Sequence, residues 1–158
     1  MSSYQEIERK FLVKAHFKPF AIEKQAISQG FLSTDPERTV RIRTAGQRGF
    51  ITVKGPGNAT GTTRFEWEKE IPLSEASQLL NLCQASLIEK VRYRIPATET
   101  LFFEVDEFLG VNQGLVLAEI ELPDEQTPFP IPHWLGEEVT GNPAYYNAVL
   151  SQHPFQNW

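Results

Sequence analysis

Cysteine, methionine and histidine are scarce: one, one and three in 158 residues. Cys83 alone can form neither an internal disulfide nor a multi-cysteine zinc site, and it suits a reducing compartment. His16, His133 and His153 lack ligand spacing and read as surface residues. No run of about 18 apolar residues exists, so no helical membrane span is expected. A basic-then-apolar leader is absent too, and a cytoplasmic protein is expected. Basic surplus is also missing. Fifteen Lys and Arg against 20 Asp and Glu leave a net charge of −5, which argues against a duplex nucleic-acid partner, although local clusters can oppose the total. "GPGNATG" at 55–61 lacks the GxxxxGK(S/T) spacing of a phosphate-cradling loop and reads as a hairpin loop.

What remains is an ordinary globular composition, 41% hydrophobic and 22% charged, in a chain long enough for one domain over 1–158. Short alternating runs bounded by turn residues predict strands at 4–13, 26–33, 39–44, 49–54, 63–71, 88–95, 101–109 and 115–122. An amphipathic helix is expected near 74–85, with Ser74 as its cap and Leu79, Leu82 and Cys83 on one face. The prolines make 123–132 a strandless connector. Asn142 before Pro143 marks a last helix ending by Pro154, packed through Tyr145, Tyr146, Val149 and Leu150.

Charge follows the alternation. In "EIERK" Glu6, Glu8 and Lys10 share one face of a strand, and Ile7 and Phe11 share the other. The same parity groups Arg41 with Arg43, Arg64 with Glu66 and Glu68, Lys90 with Arg92 and Arg94, Glu104 with Asp106, and Glu119 with Glu121; Lys54 stands opposite Ile51 and Val53. Two architectures satisfy this pattern. The charged faces can all meet water around an apolar core, or an eight-stranded sheet can close with the charges inside. Arginine-rich stripes weakly favour the second, because Arg grips phosphate in a fork and a charged lumen needs a charged occupant.

Several stretches, in order, resemble the CYTH superfamily, the triphosphate tunnel metalloenzymes. "EIERK" is similar to the family's ExExK signature, and "QGFL" (29–32) to its second strand. "VRIR", "TVKG", "RFEWE", "EKVRY", "EVDEF" and "AEIEL" resemble its later basic and acidic strands, and "WLGEEVTGNPAYYN" (134–147) the ending of small bacterial members. The resemblance implies an α+β, mostly β fold: an eight-stranded antiparallel barrel with a charged interior and a few flanking helices. It implies divalent-metal-dependent hydrolysis of inorganic triphosphate, with Mg²⁺ or Mn²⁺ as cofactor. Adenylate cyclase and organic triphosphatase are alternatives within the family, and a non-catalytic polyphosphate or nucleotide binder is one outside it. The partner is then a small-molecule triphosphate, with no duplex nucleic acid and no membrane, and the monomer or homodimer question stays open.

By family position Glu6, Glu8, Asp106, Glu119 and Glu121 are the expected metal carboxylates. Lys10, Arg41, Arg43, Lys54, Arg64, Lys90 and Arg92 are expected on phosphoryl oxygens, and Lys10, Glu66 and Glu68 in catalysis. Arg94 and Glu104 have the right parity but stand outside this set, and Glu137 and Glu138 fit a tunnel cap or the surface equally. Phe31 stands where many small relatives carry Tyr, which puts a Lys–Tyr proton relay in doubt. Asn142 and Ala144 replace an acid and a base, so that end is expected to be held differently.

Overall fold

Strict alternation commits most of this sequence to extended chain. The computed structural model describes residues 4–158. Residues 1–3, the start of the expected domain, lie outside the described residues. Eight strands form the frame: β1 (Gln5–Val13), β2 (Glu23–Ser33), β3 (Thr39–Ala45), β4 (Arg48–Gly57), β5 (Thr63–Ile71), β6 (Gln84–Pro96), β7 (Phe102–Phe108) and β8 (Val116–Glu121). Their order is β5-β4-β3-β2-β6-β7-β8-β1, all antiparallel, and β1 pairs back onto β5 through Gln5–Ile7. The sheet is thus the closed eight-stranded antiparallel barrel that the family resemblance implies, one of the two architectures the alternation allows.

Outside and inside differ by parity, as the pleat requires. Phe11, Tyr93, Phe103, Val105, Ala118 and Ile120 form an outer apolar face. Phe17, Phe129, Trp134 and Leu135, from the segments after β1 and β8, cover it. On the inner side the strands change character along their length. β6 runs Arg92, Lys90, Ile88; β7 runs Asp106, Phe108; β8 runs Glu119, Leu117; and β1 runs Lys10, Leu12. Phe31, Ile88, Phe108, Leu115 and Leu117 join Val139 and Leu150 in an apolar plug that fills one end of the barrel. The lumen is therefore a charged chamber standing on a hydrophobic floor.

Three elements depart from the sequence expectation. Helix α1 spans Leu73–Leu80, with Pro72 rather than Ser74 at its cap position and no side-chain cap. It stops early because β6 starts at Gln84, bending through Ala85 at φ 57°; Ala76 is its buried residue and Leu82 is 70% exposed. The expected last helix is broken. Asn142 does cap a 3₁₀ turn over Pro143–Tyr145, its side chain accepting from Ala144 N at 3.1 Å, but Tyr146 is extended and α2 covers only Asn147–Leu150. A ninth strand, β9 (Leu135–Glu138), pairs with β1 beyond the point where β5 leaves it. "LGEE" is too short and too little alternating to announce it.

The β4–β5 loop and the turn before α2 meet backbone to backbone. Gly61 and Gly141 both take positive φ, +75° and +77°. A Cβ on Gly141 would stand 2.5 Å from the carbonyl oxygen of Thr60. Gly141→Ala combines a left-handed backbone with a clash against a rigid partner, so it should destabilise the protein by about 2 kcal/mol. Thermal or urea unfolding of the variant against the parent measures it.

Candidate active site

The charged chamber is a cavity of about 440 Å³. It is lined by every residue of the expected set except Asp106. Asp106 lies beneath, 1% exposed, between Lys90 (2.8 Å) and a two-pronged contact from Arg92 (2.8 and 2.9 Å). It neutralises the floor rather than opening onto the space. Its carboxyl is held below the ordinary range because Arg92 and Lys90 outweigh the opposing effect of burial.

Cations and carboxylates are interleaved on the walls. Lys54 Nζ donates to Glu6 at 2.9 Å and stands 3.4 Å from Glu66. Glu68 accepts from Thr52 at 2.6 Å and from Arg41 at 3.2 Å, with Arg43 at 3.5 Å. Arg64 is held by the Gly55 carbonyl at 2.8 and 3.1 Å. Arg92 also reaches toward Glu104 at 3.4 Å and Glu119 at 4.0 Å. These pairs leave deficits. The Nε groups of Arg41 and Arg43 are buried and donate to no group among the described residues. Burial and the neighbouring Arg41 and Arg92 cations pull the Arg43 guanidinium down to about 10, a sign of positive charge short of counter-charge.

The acids show the opposite strain. Burial, then the Glu119 and Glu6 charges, drive the Glu8 carboxyl well above its usual range. Glu119 is held low against burial by Lys10, by a hydrogen bond with Glu8 and by Arg92. Burial and a hydrogen bond with Glu6 push Glu66 up to about 7. Crowded carboxylates that share protons are a hard-oxygen donor set with a charge to spare, which fits Mg²⁺ or Mn²⁺. Among the described residues no three acidic, His or Cys groups already form a closed ion cage.

Several lining residues were missed in the sequence. Glu104 had the right parity and was set aside; it lines the cavity. Arg48 and Phe50 share the inner face of β4 with Lys54, so parity could have found them. Arg43 and Arg48 sit 4.9 and 5.1 Å from the Phe50 ring. Tyr146, expected only to pack, lies under Lys10, whose Nζ is 5.5 Å from its ring and donates to Tyr145 O at 3.1 Å. Asn147 also faces the space, and no strand parity could signal it. Phe31 lines the chamber from the plug. Glu138 is outside, in a two-pronged pair with Arg9 at 2.6 and 2.8 Å, and Arg94 stacks 3.7 Å from the Phe102 ring outside the lining. His16, His133 and His153 are exposed and away from the cavity.

A closed antiparallel barrel whose lumen alternates cations with crowded carboxylates is the architecture of a triphosphate tunnel protein. The CYTH domain model matches residues 4–147, and the chain belongs to that family. It is 44% identical over 155 residues to an inorganic triphosphatase of Acetivibrio thermocellus, covering 98% of this chain and 97% of that one. An inorganic triphosphatase of Nitrosomonas europaea is 35% identical over 149 residues, covering 92% and 96%. A crystal structure of an inorganic triphosphatase superposes with a TM-score of 0.66 at 33% identity, covering 92% of this chain and 97% of that chain.

The raised Glu66 sets a pH dependence. Its folded value, about 7, exceeds the ordinary 4.5, so the folded state keeps a proton that the unfolded chain has released. Stability should fall as pH rises between those values. In EDTA, Glu66→Gln should melt above the parent at pH ~8 by about 3 °C, a difference that vanishes near pH ~5. Melting curves at the two pH values check it.

Proposed function

We infer that the chain is a divalent-metal-dependent hydrolase of inorganic triphosphate. The observation that carries this reading is a chamber lined by eight Lys and Arg side chains interleaved with carboxylates. Guanidinium forks match phosphoryl oxygens. An elongated polyanion with several such oxygens satisfies them; an apolar ligand would not. Inorganic triphosphate needs no pocket for a base or a sugar, and seven of the eight barrel strands line the chamber with charged side chains.

Phosphoryl transfer asks the protein mainly to position groups and to stabilise charge along an in-line path. Lys10, Arg41, Arg43, Lys54, Arg64, Lys90 and Arg92 hold the phosphoryl oxygens. Glu6, Glu8, Glu119 and Glu121 would hold the metal, while Asp106 keeps Lys90 and Arg92 in place. A bound Mg²⁺ or Mn²⁺ supplies charge neutralisation and lowers the pKa of a coordinated water. Glu66, deprotonated once a metal occupies the chamber, would orient the attacking water and take its proton, and Glu68 fixes Arg41 and Arg43. Attack on a terminal phosphorus releases phosphate and pyrophosphate, with no covalent link to the protein. A cytoplasmic setting and a small-molecule partner belong to the same reading.

Purified protein should release phosphate from tripolyphosphate with Mg²⁺ or Mn²⁺ and far less from pyrophosphate, ATP or thiamine triphosphate. Inertness toward tripolyphosphate, with cyclic AMP formed from ATP, would overturn the reading. Parity gives a paired test. Lys10→Ala should lose about 2–4 kcal/mol of transition-state stabilisation, as removal of an oxyanion donor does. Arg9→Ala, one residue along and tied outside to Glu138, should keep its turnover. Glu119→Gln should raise the metal concentration needed for half-maximal rate while leaving the fold intact, as a metal titration of the activity would register.

A further inference from the structure

Two of the lumen cations, Lys10 and Lys90, rest directly on the apolar floor, 7% and 2% exposed. The short segment before and at the start of α2 reaches in to hold both. Lys10 Nζ donates to the Tyr145 carbonyl, and Lys90 Nζ donates to Asn147 Oδ1 at 2.9 Å. A second donor converges on the Asn147 oxygen: Gln29 Nε2, 2.8 Å away. Gln29 is fully buried on β2, so no water can replace this contact. An amide oxygen has two lone pairs, and here both are used.

The consequence is orientational. With Oδ1 fixed by two donors, the Asn147 side chain cannot turn over, and its NH₂ points away from them. Asn147 lines the chamber, and its Nδ2 donates to no described protein group. A neutral, pre-aimed donor therefore stands beside the Lys10 and Lys90 ammoniums. We propose that Asn147 is a positioning residue that fixes Lys90 and hydrogen-bonds a terminal phosphoryl oxygen at the closed end of the lumen. The proposal rests on the triphosphate reading above. Leu150, wholly buried in the plug three residues later, anchors the segment that carries this amide. An amide adds a donor without adding charge to a floor already holding two ammoniums and Arg92. A carboxylate there would satisfy Lys90 and Gln29 equally well, but would turn an oxygen toward the phosphate.

That last contrast is the test. Asn147→Asp keeps the acceptor and the shape, so it should melt no lower than the parent. Its KM for tripolyphosphate under saturating Mg²⁺ should rise on the order of 10–100-fold, the scale of a lost hydrogen bond to a charged group, with kcat changed much less. Asn147→Asp with the parent's KM overturns the proposal, since a phosphoryl oxygen would then have met a carboxylate in place of its donor at no cost. If Asn147→Asp does not fold, Asn147→Ala carries the same test: a folded variant with a KM raised about tenfold supports the proposal, and one with the parent's KM overturns it. Failure of the triphosphate reading shows separately, since the parent protein itself would then not turn over tripolyphosphate.

Discussion

A charge turned into a closed barrel loses most of its water, and a neighbour has to replace it. That constraint organises the molecule. Lys54 answers Glu6 and Glu66, Arg41 answers Glu68, and Asp106 answers Lys90 and Arg92 together. The barrel can hold such a lumen because its apolar mass lies elsewhere, in an outer face wrapped by the segments around Phe17 and Trp134 and in a plug closing one end. Core and site thus occupy opposite parities of the same strands. Each strand contributes to both, so a one-residue slip would exchange them.

The compensation is deliberately incomplete in both signs. The Nε groups of Arg41 and Arg43 are buried without a partner among the described residues, while burial and neighbouring carboxylates push the Glu8 and Glu66 carboxyls upward. A lumen with only cations would repel itself, and one with only carboxylates would do the same. Interleaving them lets the chamber exist, yet leaves unmet demand for an anion and a cation at once. A phosphate chain carrying a divalent metal answers both demands.

Most of the frame was legible because period-two alternation is strong in these strands, and closure of the sheet turned parity into location. Glu6, Glu8 and Lys10 are inside and Arg9 outside for no reason beyond alternation. What the sequence hid lies where alternation stops. Gln84 and Ala85 read as the end of a helix, but the bend at Ala85 makes them strand, and Gly30 makes room for the crossing with Cys83 and Leu87. β9 has only four residues and owes its strand form to the free side of β1. Asn147 enters the lumen from an irregular segment, held by Lys90 and Gln29 from distant strands. Asp106 had lumen parity, but parity does not tell depth, and its position beneath the cavity depends on which cations flank it.

β1 carries one further implication. Its partners are β5, β8 and β9, with Gln5 opposite Phe65, Lys10 opposite Glu119 and Phe11 opposite Glu138. Nothing next to it in sequence pairs with it. During synthesis β1 emerges before all three partners and must wait for the last of them before the sheet can close. Pairings so distant along the chain make for slow folding, and an unpaired strand is a template for aggregation while it waits. Glu6, Glu8, Arg9 and Lys10 interrupt its apolar residues at close intervals, as gatekeeper charges do. The same charges that later face a polyanion thus keep the nascent strand soluble until its neighbours arrive.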